Sequence, residues 1–179
     1  MEPRLEPLPR AEWDDETRAL LGDRTLNIFA TLARHPKLLK RWIVFGNHVL
    51  AKSTLSARDR ELLILRTGWR CRAPYEWGQH VAIARGVGIT DDEIGRIANG
   101  PDTGWPDNEA ALLRAADELH ERQNLTDETY RVLAAHYDQQ QLLDIVFTVG
   151  QYTLVSMALN TFAVQRDDGV SGVPFPTAT

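Results

Sequence analysis

The chain has 179 residues, of which 43 % are hydrophobic and 25 % are charged, and its formal net charge is −5. This length suits a single domain that can bury a sizeable core. The composition is that of an ordinary globular protein, which excludes disorder along the whole chain. Acidic residues outnumber basic ones and the basic residues are scattered, so we expect no nucleic-acid partner.

The N-terminal third begins with a segment rich in proline and charge, and we expect residues 1–11 to form a flexible arm. Amphipathic patterns then predict helices over 13–21 and 27–34. The second of these should end before Pro36, because a residue that precedes proline avoids helical angles. Pro36 itself suits the first turn of a helix that runs to about Ala51.

The middle of the chain contains three further helix starts. Ser56 begins a helix that should end near Arg72, and Pro74 is placed to begin the next one. Thr90, followed three residues later by Glu93, has the pattern of a capping box, in which each of the two side chains bonds the backbone of the other residue. Glycines and prolines then mark residues 100–107 as a loop.

The last third has helical spacing over 108–123, a helix opened by Thr126, and a long apolar segment over 140–165. That segment is interrupted by polar side chains, so we predict that it is buried in a bundle and does not span a membrane. We predict an all-α fold: a single-domain bundle of about eight helices over residues 12–165, followed by a C-terminal tail over residues 166–179.

Two features bear on where the protein works. Cys71 is the one cysteine, which excludes an intramolecular disulfide framework. The N-terminal segment lacks the apolar core of a signal peptide. We therefore expect a cytoplasmic protein.

The densest group of chemically useful side chains lies between residues 60 and 80. Glu76 and His80 are four residues apart in one predicted helix, so both side chains lie on one face. A carboxylate beside an imidazole can orient it and raise its pKa, which allows proton transfer near neutral pH. Glu61 lies on the preceding helix beside apolar residues, where burial would raise its pKa.

The same residues also have ordinary structural interpretations. Glu76 occupies the first turn of its helix, where the helix dipole favours an acid. A Glu–His pair at this spacing is common on helix surfaces, and Glu61 could form an exposed ion pair with Arg58. Spacing alone does not choose between these interpretations and a catalytic role.

The segment from about Asn27 to Glu93, and more loosely as far as Asn160, resembles the carboxymuconolactone decarboxylase superfamily, which includes the alkylhydroperoxidase D-like proteins. Redox members of that superfamily have a glutamate, then Cys-x-x-Cys beginning twelve residues later, then a histidine four residues after the second cysteine. In this sequence Glu61 and His80 match the glutamate and the histidine. The neighbouring stretches Arg-Glu-Leu at 60–62 and Val-Ala-Ile-Ala at 81–84 support the alignment.

The two cysteine positions of the redox motif are occupied here by Ala73 and Glu76. A dithiol mechanism needs one thiolate to attack and a second to resolve the product as a disulfide. Cys71 lies two residues too early and has no partner in the chain, so we expect it to be a small packing residue. The resemblance therefore implies a variant that cannot use paired-cysteine chemistry.

A glutamate at the second cysteine position, followed by the histidine, resembles the lactone decarboxylase side of the superfamily. The resemblance implies a cofactor-independent lyase that acts by acid–base catalysis on a small oxygenated acid or lactone. His80 would carry the proton, Glu76 would orient it, and Glu61 would be a second base or a structural acid. The alternatives are an alkylhydroperoxidase-like redox protein, which the missing cysteines disfavour, and a non-catalytic binding or assembly relative.

Other residues are candidates for contact with a substrate. Tyr75 and Trp77 flank Glu76 and would either line a pocket or pack in the core. His48 on an earlier helix and Tyr152 on the last helix are further candidates. We expect no metal and no cofactor, because no histidine pair has ligand spacing and no nucleotide-binding glycine motif is present. The resemblance also implies a homo-oligomer, a trimer or hexamer, with a dimer as the alternative.

Overall fold

The computed structural model describes residues 2–168. Met1 and residues 169–179 lie outside the described residues, and so does most of the C-terminal tail that was predicted over 166–179. Over residues 2–168 the chain forms no strands, and a short 3₁₀ turn at Arg10–Glu12 precedes nine α-helices: α1 Asp15–Leu21, α2 Asn27–Leu32, α3 Pro36–Ala51, α4 Ala57–Arg70, α5 Pro74–Gly86, α6 Asp91–Asn99, α7 Asp107–Arg122, α8 Asp127–His136 and α9 Gln139–Phe162. The all-α prediction is confirmed, with nine helices where about eight were expected.

Most helices begin where the sequence carries a start signal. The Ser56 side chain accepts a hydrogen bond from the backbone N–H of Asp59, and Thr90 and Glu93 form the predicted capping box. Pro36 and Pro74 occupy the first turns of α3 and α5. These local interactions satisfy backbone N–H groups that a helix start otherwise leaves without partners.

Helix α4 is the centre of the bundle. Its eight residues from Glu61 to Gly68 are all buried, and the helix contacts α5, α6, α7 and α9. A helix buried on every side belongs to the core of a protein. The charged residues in this stretch, Glu61 and Arg66, must therefore find partners inside the protein, because an unpaired buried charge is very costly.

Arg66 finds its partners on two other helices, α6 and α7. Its guanidinium makes two hydrogen bonds to the Asp117 carboxylate on α7, at 2.6 and 2.8 Å. It also donates to the carbonyl oxygens of Ile97 and Ala98 at the C-terminal end of α6. Arg66 thus stabilises the packing of α4, α6 and α7.

Helices α4 and α5 approach each other closely at Gly68. A Cβ atom built on Gly68 would lie 3.7 Å from the Cβ atom of Glu76, which is ordinary van der Waals contact. The connection between the helices is short, and Arg72 within it has a φ of 51°, in the left-handed region. This tight turn places the first turns of α5 beside the buried face of α4.

Helix α9 is long and apolar enough, by length and composition, to cross a membrane. The core helix of a bundle has the same two properties, and α9 contacts α3, α4, α5, α7 and α8. One face, with Ile145 and Val149, is buried, whereas Phe147 and Leu154 on another face are exposed. The buried face supplies the packing that was predicted from the apolar sequence.

The N-terminal segment is hydrogen bonded to the bundle. The backbone N–H of Arg4 donates to the Phe162 carbonyl at the end of α9, and that of Leu8 donates to the Ala30 carbonyl in α2. Leu8 also packs against a small core formed by α1, α2 and α3. Residues 2–11, for which we predicted a flexible arm, therefore cover one end of the bundle.

Candidate active site

His80 lies between two carboxylates that come from different helices. Its Nδ1 atom is 2.6 Å from Glu61 Oε2 on α4, and its Nε2 atom is 3.0 Å from Glu76 Oε1 on its own helix α5. The other oxygen of Glu61 accepts a hydrogen bond from Arg60 Nε at 3.2 Å. Positive and negative groups therefore alternate along Arg60, Glu61, His80 and Glu76.

The pKa of His80 reflects a competition between burial and charge. Burial alone would lower the pKa, but the neighbouring carboxylates, Glu61 above all, outweigh it and raise the pKa to about 9. His80 is thus an imidazolium at neutral pH, with one N–H for each carboxylate. The Glu76–His80 pair is therefore buried and does not lie on the helix surface, because α4 covers the histidine.

A partly open, mostly apolar cavity of about 140 Å³ adjoins this cluster. Helices α2, α3, α5 and α9 supply most of its wall, and the apolar lining includes Ile28, Phe29, Trp42, Ile43, Leu50, Ile83 and Val155. A cavity of roughly 150 Å³ in another protein holds a benzene molecule. The space therefore fits a single small ring or a short branched chain.

The two glutamates stand in different relations to the cavity. Glu76 and His80 line it, whereas Glu61 is completely buried behind His80 and does not reach it. Glu61 is placed to orient and charge the imidazole. Glu76, to which we had given the orienting role, is the carboxylate that a molecule in the cavity would contact.

Two of the predicted pocket residues line the cavity. The Tyr152 ring meets the His80 ring edge to face, with ring centroids 4.9 Å apart. Tyr75 is 5 % exposed and forms part of the wall beside Glu76. Burial, followed by a nearby carboxylate, raises the pKa of Tyr75, so its hydroxyl keeps its proton and acts as a donor.

The other two candidates, Trp77 and His48, lie outside the cavity. Trp77 is 1 % exposed in the main core, where its ring packs against Trp69. Side chains on an α-helix that are one residue apart point about 100° apart, so Trp77 faces away from Glu76. His48 has an exposed side chain on α3, and its Nε2 atom lies 3.6 Å from Asp144.

Three polar side chains that the sequence did not single out belong to the site. Gln79 and Gln151 line the cavity, and Gln151 is 4 % exposed with no hydrogen-bond partner for its Oε1 atom among residues 2–168. Asp167, in the C-terminal segment, accepts hydrogen bonds from Tyr75 and Gln79. The one sequence signal for Gln79 and Gln151 is their position beside His80 and Tyr152; Asp167 lies in a segment without periodicity, which offers no such signal.

Cys71 lies at the C-terminal end of α4 and is not part of the cavity wall. Its sulfur is 3.6 Å from His120 Nδ1 and 4.0 Å from Thr153 Oγ1. Burial raises the pKa of this thiol, which keeps it in the less reactive protonated form.

Both ring nitrogens of His80 are already engaged by carboxylates, which leaves neither free for a metal ion. A metal-bound imidazole must offer a nitrogen lone pair, and both nitrogens of His80 face carboxylates as N–H donors. Over residues 2–168 no three His, Cys, Asp or Glu side chains are grouped as ligands.

Comparison with known proteins supports the family resemblance. The carboxymuconolactone decarboxylase family model matches residues 36–118, which include Glu61, Glu76 and His80. No curated protein sequence matches the chain.

Solved structures show the same fold at low sequence identity. An uncharacterized peroxidase-related protein with an alkylhydroperoxidase AhpD core from Ralstonia eutropha JMP134 is 19 % identical, with a TM-score of 0.82 over 95 % of this chain and 96 % of that one. A peroxidase-related protein from Silicibacter sp. TM1040 is 17 % identical, with a TM-score of 0.82 over 98 % and 97 %. The debrominase Bmp8, bound to 2,3,4-tribromopyrrole, is 15 % identical, with a TM-score of 0.78 over 95 % of each chain. The chain therefore has the alkylhydroperoxidase D-like fold of the carboxymuconolactone decarboxylase-like proteins.

Proposed function

We propose that the protein is a cofactor-independent acid–base enzyme of the decarboxylase-like kind, acting on a small, mostly apolar acid or lactone. The observation that carries this proposal is the buried Glu61–His80–Glu76 cluster, of which His80 and Glu76 line a cavity. A non-catalytic relative has no need for an imidazolium held between two carboxylates at a cavity wall. Perturbed ionisable groups of this kind are typical of functional sites.

The chemistry requires a proton that is held beside the reacting carbon. When a carboxylate lies beta to a conjugated carbonyl group, the C–C bond breaks, carbon dioxide leaves and the electron pair forms an enolate. The Glu76–His80 pair then supplies a proton to the carbon, and water returns one to the pair after release. Glu61 keeps the imidazole charged until the proton is transferred, and this positive charge stabilises the negative charge that develops on the enolate.

The cavity supports the size of the proposed substrate. Its volume of about 140 Å³ accommodates one small ring, and its wall is apolar apart from a few side chains such as Glu76, Gln79 and Gln151. The debrominase neighbour binds a substituted pyrrole, so the shared fold is able to enclose a ligand of one ring. The dithiol route remains disfavoured because the chain has one cysteine, and it lies outside the cavity.

The test is release of carbon dioxide from a panel of small β-oxo acids and carboxylated lactones. We expect His80→Ala to lower kcat by about 100-fold or more, the usual contribution of a general acid–base residue. His136→Ala, at an exposed position on α8, is the matched control and should retain full turnover.

Alkylation of Cys71 distinguishes this proposal from the redox alternative. Activity should survive iodoacetamide, since the thiol lies outside the cavity. Full turnover in His80→Ala, or loss of activity on alkylation, would rule out the proposed mechanism. Ligand binding without turnover of any panel member would favour the non-catalytic alternative.

A further inference from the structure

The C-terminal segment places a carboxylate against the cavity wall. Asp167 Oδ2 accepts hydrogen bonds from the Tyr75 hydroxyl at 2.5 Å and from Gln79 Nε2 at 2.6 Å. Its other oxygen, Oδ1, accepts from the backbone N–H of Asn27 at 2.7 Å. Three donors, two from α5 and one from the start of α2, therefore converge on one carboxyl group.

Two of these donors belong to the same cavity as the catalytic cluster. Tyr75 and Gln79 line it, and they flank Glu76 and His80 along α5. The Tyr75 hydroxyl is a fixed donor because it also accepts a hydrogen bond from the backbone N–H of Ile28 at 3.3 Å. A carboxylate on a molecule inside the cavity would find the two side-chain donors that now hold Asp167, and the Asn27 N–H lies just beyond them on the same carboxylate.

Asp167 is held by side-chain contacts while its neighbours face solvent. It is half-buried, whereas Arg166 and Asp168 are exposed. The next anchor toward the bundle is the carbonyl oxygen of Gln165, which accepts from Asn27 Nδ2 at 3.0 Å. Release of the carboxylate therefore requires no rearrangement of a helix.

We propose that Tyr75, Gln79 and the Asn27 N–H form a carboxylate-binding subsite, which Asp167 occupies until a ligand carboxylate displaces it. The proposal rests on the proposed function in taking the cavity as the substrate site. It adds that the substrate carries a carboxylate next to a ring-sized apolar body, and that the C-terminal segment competes with it.

The test measures binding and does not depend on turnover. Benzoate, which is one apolar ring with one carboxylate, is titrated into the full-length protein by calorimetry, with benzyl alcohol as the uncharged probe. We expect Asp167→Asn to tighten benzoate binding by about tenfold or more, because an uncharged amide competes less well for the donors. Benzyl alcohol binding should stay within about twofold.

The adjacent acid provides the matched control. Asp168→Asn removes the same charge one residue further along the chain, at an exposed position, and should leave benzoate binding unchanged. Adding Tyr75→Phe to Asp167→Asn should reverse the gain, because the buried donor is lost while the ring remains.

Three results would overturn the subsite. The first is equal benzoate affinity in wild type and Asp167→Asn, which would mean that Asp167 only holds the C-terminal segment against the bundle. The second is an equal gain for benzyl alcohol, which would mean that the variant merely opens the cavity. The third is an equal gain in Asp168→Asn, which would assign the effect to net charge. None of these results bears on His80, so the acid–base proposal is tested separately.

Discussion

At the scale of single residues, His80 illustrates how two opposing effects set a charge. Burial of a histidine favours the neutral imidazole, but carboxylates at 2.6 and 3.0 Å favour the imidazolium. The carboxylates prevail and raise the pKa to about 9. Because this lies above the ordinary value of 6.5, the stabilisation that the cluster gives the fold is complete below pH 6.5 and is lost as pH rises through 9.

We expect Glu61→Gln to lower the pKa of His80 more than Glu76→Gln does, because Glu61 makes the larger charge contribution to that pKa. Each substitution keeps the size of the side chain and removes one negative charge. The measurement is NMR titration of the His80 ring signals between pH 5 and 10. Glu128→Gln, at an exposed position on α8, should leave the titration unchanged. A His80 pKa that is unaffected by Glu61→Gln would contradict the assigned cause.

At the scale of helices, the contribution of an ion pair to stability depends on how deeply the pair is buried. The Arg66 side chain is 6 % exposed, and its pairing with Asp117 connects α4 to α7 while its remaining donors bond the end of α6. The Arg114–Asp102 pair has a similar distance, 2.8 Å, through one hydrogen bond, and its side chains are 39 % and 85 % exposed. The two pairs therefore form a natural comparison of buried and exposed charges.

We expect Asp117→Ala to lower the free energy of unfolding by about 3–5 kcal/mol, because it leaves the Arg66 guanidinium buried without its counter-charge. Asp102→Ala, which breaks the exposed pair, should cost less than about 1 kcal/mol. Urea denaturation of both variants beside the wild type makes the comparison. Equal losses in the two variants would show that burial does not control the strength of these pairs.

At the scale of the whole molecule, none of residues 2–168 covers an apolar face formed by α3 and α9. Large side chains on this face are well exposed, and the Phe45 and Phe147 rings meet edge to face at 6.1 Å. The exposed members are Val44, Phe45, Leu143, Val146, Phe147, Leu154 and Met157. Contiguous apolar patches of this kind are typical of protein–protein interfaces.

We propose that this face joins copies of the chain, and we expect Phe147→Asp to shift the oligomer toward monomer. Burying a carboxylate in an apolar interface without a partner is unfavourable. Sedimentation velocity at micromolar concentration measures the change. Tyr130→Asp places the same charge at a similarly exposed aromatic position on α8 and should leave the oligomer intact. A monomeric wild type would contradict the proposed interface.

Local signals determined much of the secondary structure from the sequence alone. Ser56, Thr90 and the prolines at 36 and 74 act on backbone groups within a few residues, so their effect is encoded by neighbours in the chain. The spacing of Glu76 and His80 likewise determined that they share one helical face. The resemblance then matched Glu61, nineteen residues before His80, to the glutamate of the family motif.

Contacts between distant segments were decided by the tertiary structure. The exclusion of Glu61 from the cavity, the burial of Trp77 in the core and the position of His48 outside the cavity depend on how α3, α4 and α5 pack together. Gln151 and Asp167 join the site across long stretches of chain, and no local pattern encodes such contacts. The sequence by itself thus determined the helices and the residues available for proton transfer. Only packing decided which of these residues face the cavity and which hold the others in place, because burial and charge are properties of the assembled bundle.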